Sequence, residues 1–202
     1  MVRTIAKDHD EKRGAILETA ARFFAENGYD RASMSQLAVE CGISKALIYH
    51  YYDSKEALLF DILNSHLSKL LHAIEKIQII DGKAEENLKA LVSELLENYR
   101  GADNEHRLQL EAMAALTSEQ QKHLSAMQRR IVEVFSSVIA ELRPDLFARD
   151  KTQLFPITMS LFAMLNWFYQ WHKPGVGLSR SEYAVLATDL FLGGLKGLSP
   201  ET

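Results

Sequence analysis

Across most of the chain the apolar residues recur at three- and four-residue steps, and no sustained alternating run of Val, Ile and Thr interrupts them. That period places apolar side chains on one face of a helix and scatters them over both faces of a strand. The chain is therefore predicted to be all-α. Gly and Pro are sparse, so the breaks they make are informative. At 202 residues the chain is long enough for one large or two small domains.

The first amphipathic stretch runs from Lys12 to Asn27, with Ile16, Leu17, Ala20, Phe23 and Phe24 on one stripe and Gly28 as the stop. Ser33 precedes a piece of about two turns with Leu37 and Ala38 inward. "CGI" breaks it, and Ser44 caps a further helix to Tyr51. Helix, short turn containing Gly, helix is the layout of a helix-turn-helix unit, whose second member lies in a DNA major groove. Asp53 and Glu56 have capping-box spacing ahead of a long helix that "DGK" at 81–83 ends. Further helices are expected near 84–100, 104–116, 118–142, 150–172 and 180–197, the last behind a Ser179/Glu182 capping box.

The segment "GISKALIYHYYDSKEALL" crowds three tyrosines, a histidine and two lysines into about three helical turns. Two readings fit it. The rings form a half-buried aromatic cluster, or their hydroxyls serve as phosphate donors. On the second reading Ser33 and Ser44 bring hydroxyls and open backbone N–H groups to a phosphate. Lys45 then sits in the turn that reaches base edges, with Tyr49, His50 and Tyr51 one turn on, and Tyr49, Tyr51 and Lys55 are donors that set register without reading sequence. Ala46 is suited to a thymine methyl and Lys45 to a guanine. Ile43, Ile48 and Tyr52 are assigned to the core.

The run "GYDRASMSQLAVECGISKALIYHYYDSKEALL" resembles the N-terminal DNA-binding domain of TetR-type transcriptional regulators. The resemblance covers residues 12–63 and rests on Gly-Tyr, a Ser before the second helix, Leu-Ala, Gly-Ile-Ser, Ile-Tyr and Ser-Lys-Glu-x-Leu. It implies a three-helix head over 1–55, a ligand-binding and dimerisation domain over 56–202, and DNA contacts at Ser33, Ser44, Lys45, Tyr49 and Lys55. It also implies double-stranded operator DNA as partner and a homodimer through the last two helices. The chain departs from the pattern in three places. Ala46 stands where glycine is frequent, Ala32 replaces a common threonine, and Tyr51 occupies a position often held by histidine.

Charge sharpens this expectation. The acids Asp8, Asp10, Glu11, Glu18, Glu26, Asp30, Glu40 and Asp53 offset Arg3, Lys7, Lys12, Arg13, Arg22, Arg31, Lys45 and Lys55, and the whole chain carries −4. One near-neutral head binds weakly, so two heads on half-sites about 34–36 Å apart, or a multiple, are expected. Arg3 and Lys7 are suited to an arm onto a neighbouring groove or to a solvated tail.

The C-terminal helices are rich in Met and aromatics, which read as core and dimer interface or as a cavity for an apolar ligand. Tyr99, Arg107, Met113, Phe162, Asn166 and Trp167 are the candidate ligand-binding residues. The stretch "LNWFYQWHKPGVGLSRSEYAVLATDLFLGGL" is also similar to TetR-type regulators of fatty-acid, steroid or aromatic-acid catabolism that answer to acyl-CoA thioesters. That similarity implies a repressor released by an acyl-CoA or small hydrophobic effector, with Arg107, Arg143, His172 and Lys173 either near CoA phosphates or simply surface charges. The alternatives are a regulator of an efflux or stress operon answering to a free hydrophobic compound, and a helical scaffold without DNA binding.

Several classes are set aside. Leu154–Trp171 carries no formal charge, but Pro156, Asn166 and Gln170 favour a helix buried within protein, in part by another subunit, over a membrane span. The N-terminus lacks an apolar signal-peptide core, and the lone Cys41 suits a reducing cytoplasm, as a small buried residue or a redox switch. The histidines are scattered, and neither metal-ligand spacing nor a phosphate-binding Gly loop nor a nucleophile motif is present, so no enzyme, metal or cofactor is expected.

Overall fold

A computed structural model describes residues 2–148, 151–173 and 175–199, with side chains described for residue 9 and from residue 11 onward. Its helices are α1 (Val2–Asn27), α2 (Met34–Glu40), α3 (Lys45–Tyr51), α4 (Lys55–Glu75), α5 (Ala84–Asn98) and α6 (Asp103–Glu111). A 3-10 turn (Met113–Ala115) precedes α7 (Ser118–Leu142), α8 (Pro144–Phe147), α9 (Leu154–Asn166), α10 (Phe168–Trp171) and α11 (Arg180–Lys196). The described residues form no strand, so the all-α expectation holds.

Two compact units are present. One takes in the chain up to Ser68 together with Gly101–Ser125, and the other Lys69–Arg100 with the chain from Ala126 on. In the first unit, Ile16, Ala20 and Phe24 of α1, Leu37 and Ala38 of α2, Ile48 of α3 and Leu58, Leu59 and Ile62 of α4 are buried. The α1 stripe thus faces the core as its period requires. Gly28 ends α1 with φ of 79°, a conformation that costs a side-chain-bearing residue about 1–2 kcal/mol. In the second unit, α11 packs on α5 and α9, burying Ala184, Ala187, Phe191 and Leu195 with Leu88, Leu91 and Leu95.

Three expectations are corrected. Helix α1 starts at Val2, not near Lys12, because nothing in the first eleven residues breaks a helix. The side-chain expectation for Arg3 and Lys7 lies outside the described residues. The cap of α4 is Ser54, whose Oγ accepts from the Ala57 amide at 3.0 Å, in place of the expected Asp53, and α4 ends at Glu75 well before Asp81. The side chain of Asn87 then brackets Ile80, accepting from its amide at 3.0 Å and donating to its carbonyl at 2.8 Å.

The charge-free stretch is not one helix over 150–172, since α9 closes at Asn166 and α10 begins at Phe168. Tyr183 donates its hydroxyl to the Met164 carbonyl at 2.9 Å, the acceptor that the Phe168 amide would take in a continuous helix. Among the described residues no helix is long and apolar enough to cross a membrane.

Candidate nucleic-acid interface

Each serine at the helix-turn-helix does what its position demands of a cap. Ser33 Oγ accepts from the Gln36 amide at 3.3 Å while the Gln36 side chain accepts from the Ser33 amide at 3.0 Å, a full capping box on α2. Ser44 Oγ accepts from the Leu47 amide at 3.1 Å and starts α3. Between them Gly42 has φ of 64°, which turns the chain through about three residues. Gln36 was legible in the sequence as a Gln three residues after Ser33.

Helix α3 divides cleanly into two faces. Ile48 is fully buried and Tyr52, the residue after the helix, is buried with it. Lys45, Ala46, Leu47, Tyr49 and His50 are exposed, and Tyr51 is half-buried. The rings on this surface touch one another: Lys45 Nζ lies 5.8 Å from the Tyr49 centroid, His50 stands edge-on to Tyr51 at 5.8 Å, and Tyr51 stacks on His9 at 4.8 Å. The buried-cluster reading of the aromatic crowd therefore holds for Tyr52 and not for Tyr49. Tyr52 is core, while Tyr49 and His50 are exposed.

Two exposed apolar residues of α2 and α3 were not singled out from sequence. Leu47 is 37% exposed on α3 and Val39 is 81% exposed at the end of α2. Counting helix angle from the buried Ile48 would have found Leu47, since it lies well off the inward stripe. The same count from the buried Leu37 and Ala38 places Val39 on the outer side of α2.

Tyr52 and Lys55 are held from below. The Tyr52 hydroxyl donates to Asp61 at 2.5 Å, and Arg13 Nη2 donates to both Asp61 oxygens at 2.5 and 2.6 Å. Burial and the Asp61 hydrogen bond push the Tyr52 phenol well above its ordinary value. Lys55 has its ammonium against the turn between α1 and α2, where Nζ donates to the Tyr29 carbonyl at 2.9 Å and the Ala32 carbonyl at 3.1 Å. Cys41 is half-buried beside this unit, and burial with the nearby Glu40 raises its thiol, away from the thiolate a redox switch requires.

The six candidate ligand residues divide between the two units. Tyr99, Phe162, Asn166 and Trp167 belong to the second unit, Arg107 and Met113 to the first. Tyr99 is buried and its hydroxyl donates to Asn166 Oδ1 at 2.9 Å, while Phe162 packs on Phe135 with centroids 4.9 Å apart. Trp167 is 60% exposed. Arg107 pairs with Glu111 at 3.0 Å on the surface of α6. Arg143 is committed too, to Asp145 and to the Leu195 and Leu198 carbonyls that close α11. Among the described residues no group of three His, Cys, Asp or Glu is placed to hold a metal ion.

Comparison with known proteins agrees with this layout. Residues 16–62 match the profile of bacterial regulatory proteins of the tetR family, and residues 81–195 match a tetracyclin repressor-like C-terminal domain. An HTH-type regulator of Bacillus subtilis, YuxN, is 44% identical over 68 residues, which is 34% of this chain. The chain spans only 23% of that relative's length. A solved TetR-family transcriptional regulator from Bordetella parapertussis superposes with a TM-score of 0.85 at 35% identity, covering 93% of this chain and 97% of that one. AibR, solved with isovaleryl coenzyme A and operator DNA, superposes with a TM-score of 0.74 at 26% identity, covering 89% of this chain and 97% of that one.

Proposed function

The chain belongs to the TetR family of bacterial regulatory proteins, and we propose that within it the protein acts as a homodimeric repressor released from its operator by a small effector. Residues 1–55 supply the DNA-binding head and residues 56–202 the effector and dimer functions. The observation that carries the reading is the division of α3, which buries Ile48 and leaves Lys45, Ala46, Tyr49 and His50 exposed behind a Ser44 cap. That is the geometry of a helix whose first turns enter a major groove. Lys45 and Ala46 meet base edges, and Ser33, Ser44, Tyr49, His50 and Tyr51 meet phosphates.

Dimerisation uses the outer face of α11 and the adjoining α9. Val185, Leu186 and Leu190 are exposed on α11, as is Phe155 on α9. Gly193 continues the α11 face one turn on and lets a second helix approach closely. An exposed apolar stripe of this kind on a soluble helix marks an interface.

The effector site lies around Tyr99, Asn166 and Phe162, where the buried Tyr99 donates its hydroxyl to a half-buried Asn166. An acyl-CoA thioester is the leading class, on the likeness to AibR, which was solved with one. A free hydrophobic compound is the second reading. It is favoured by Arg107 and Arg143, whose charges are already taken up by Glu111 and Asp145. Whichever binds must prefer the dimer shape that fits DNA less well.

The experiment is fluorescence anisotropy on the promoter beside the protein's own gene. Saturable, salt-sensitive binding that isovaleryl-CoA reverses supports the whole reading. Absence of saturable binding rejects the repressor. Binding that only free hydrophobic compounds reverse selects the second effector class.

A further inference from the structure

We propose that Lys55 is a positioning residue for DNA recognition, acting on α2 and α3 through the turn between α1 and α2 instead of meeting a phosphate itself. The proposal rests on the operator-binding reading above. It departs from the role that resemblance alone gives this lysine.

An ammonium offers three donors. Around Lys55 Nζ stand three carbonyl oxygens of one turn, those of Tyr29 at 2.9 Å, Ala32 at 3.1 Å and Asp30 at 3.4 Å. The same nitrogen lies 4.3 Å from the centroid of the Tyr29 ring, a cation–π distance. Its donor capacity is therefore spent within the protein. The turn follows the C-terminus of α1, where carbonyls point outward and a cation is favoured. A phosphate would have to replace these bonds to claim the ammonium.

The position of the turn gives the contact its consequence. Ala32 directly precedes Ser33, the residue that caps α2, and α2 packs on α3. Tyr29 is anchored in turn, with its ring edge-on to the buried Phe24 at 5.4 Å. Lys55 is the first residue of α4. Its ammonium thus ties the start of α4 to the start of α2, and any displacement of α4 that reaches Lys55 is passed to the Ser33 cap and on to α3.

Full-length wild type, Lys55→Arg, Lys55→Met, Tyr29→Leu and the Lys55→Met/Tyr29→Leu double variant are titrated with the operator duplex across a range of salt. Every titration is run well below the melting temperature of each variant. The expected result is about tenfold weaker binding for Lys55→Met at every salt concentration, as for loss of charge-assisted hydrogen bonds, with the log–log salt slope unchanged. Lys55→Arg, whose planar fork does not converge on three carbonyls, also weakens binding although it keeps the charge. The double variant binds about as weakly as Lys55→Met, because both substitutions break one connection.

A salt slope shallower by about 0.9 per head, with Lys55→Arg at full affinity, identifies a phosphate contact and overturns the proposal. A lowered melting temperature with unchanged operator affinity overturns it equally. Wild type that binds no operator rejects the repressor reading itself and this proposal with it, a result no Lys55 variant can imitate.

Discussion

The Tyr99 hydroxyl donates to Oδ1 of Asn166 at 2.9 Å, joining the end of α5 to the end of α9 across 67 positions of sequence. Tyr99 is buried, and that burial alone pushes its phenol upward. Removing the acceptor takes this hydrogen bond from a buried donor, at a cost of about 0.5–1.5 kcal/mol. Asn166→Ala should therefore lower the urea unfolding free energy by about that amount, and Tyr99→Phe by less, since Asn166 is only half-buried. If the effector engages this pair, Tyr99→Phe should also shrink the thermal shift that the effector gives to wild type.

Four phenols, Tyr29, Tyr52, Tyr99 and Tyr183, are raised above the ordinary tyrosine value, in each case first by burial. Above a pH of about 10 the unfolded chain loses protons that the folded chain keeps, so unfolding stability falls as pH rises. Below about pH 10 the contribution is fully present. Each phenol adds up to about 1.4 kcal/mol per pH unit to the fall. Chemical unfolding curves through the alkaline range should show this loss, and Tyr29→Phe should reduce it. At neutral pH Tyr29→Phe should be neutral or stabilising, because the buried Tyr29 hydroxyl has no hydrogen-bond partner among the described residues.

On the surface of α3, Tyr49→Phe removes a hydroxyl suited to phosphate. It should weaken operator binding by about 1 kcal/mol, evenly across operator sequences. Lys45→Ala should instead change which sequences are preferred. Binding site selection from a randomised duplex pool distinguishes the two, and an even loss for Lys45→Ala would remove it from base reading.

The outer face of α11 supplies the dimer test. Leu190 is 61% exposed, so Leu190→Glu should leave the fold intact. Sedimentation should show a monomer, and operator affinity should fall by about 100-fold or more as the two heads lose their effective concentration. An unchanged sedimentation coefficient would put the interface elsewhere.

Gly42 adopts φ of 64°, and a Cβ at this position would meet nothing within 4 Å among the described residues. The only cost of Gly42→Ala is the left-handed backbone, about 1–2 kcal/mol. Circular dichroism melting should show that loss, and operator affinity at low temperature should change little.

Much of the fold is legible from local chemistry. Gly28 ends α1, Ser44 starts α3, the Ser179/Glu182 capping box starts α11, and the long helix over 118–142 is found where its period puts it. These features depend on residues a turn or two apart, and apolar spacing reports them directly. The candidate DNA face is legible for the same reason, since Ile48 inward forces Ala46 and His50 outward on one short helix.

Other features depend on residues far apart in sequence. The break at Trp167 has no Gly or Pro to announce it, and it coincides with Tyr183 donating to the Met164 carbonyl. Lys55 donates to the Tyr29 and Ala32 carbonyls and Arg143 to those closing α11, contacts that apolar spacing does not report. By itself the sequence determined which segments are helices and which side of each is apolar, because those follow from steric and capping preferences within a few residues. Only the tertiary structure decided which polar side chains stay open to a partner, because a charged or hydroxyl group is claimed by whatever donor or acceptor folding brings within hydrogen-bond reach.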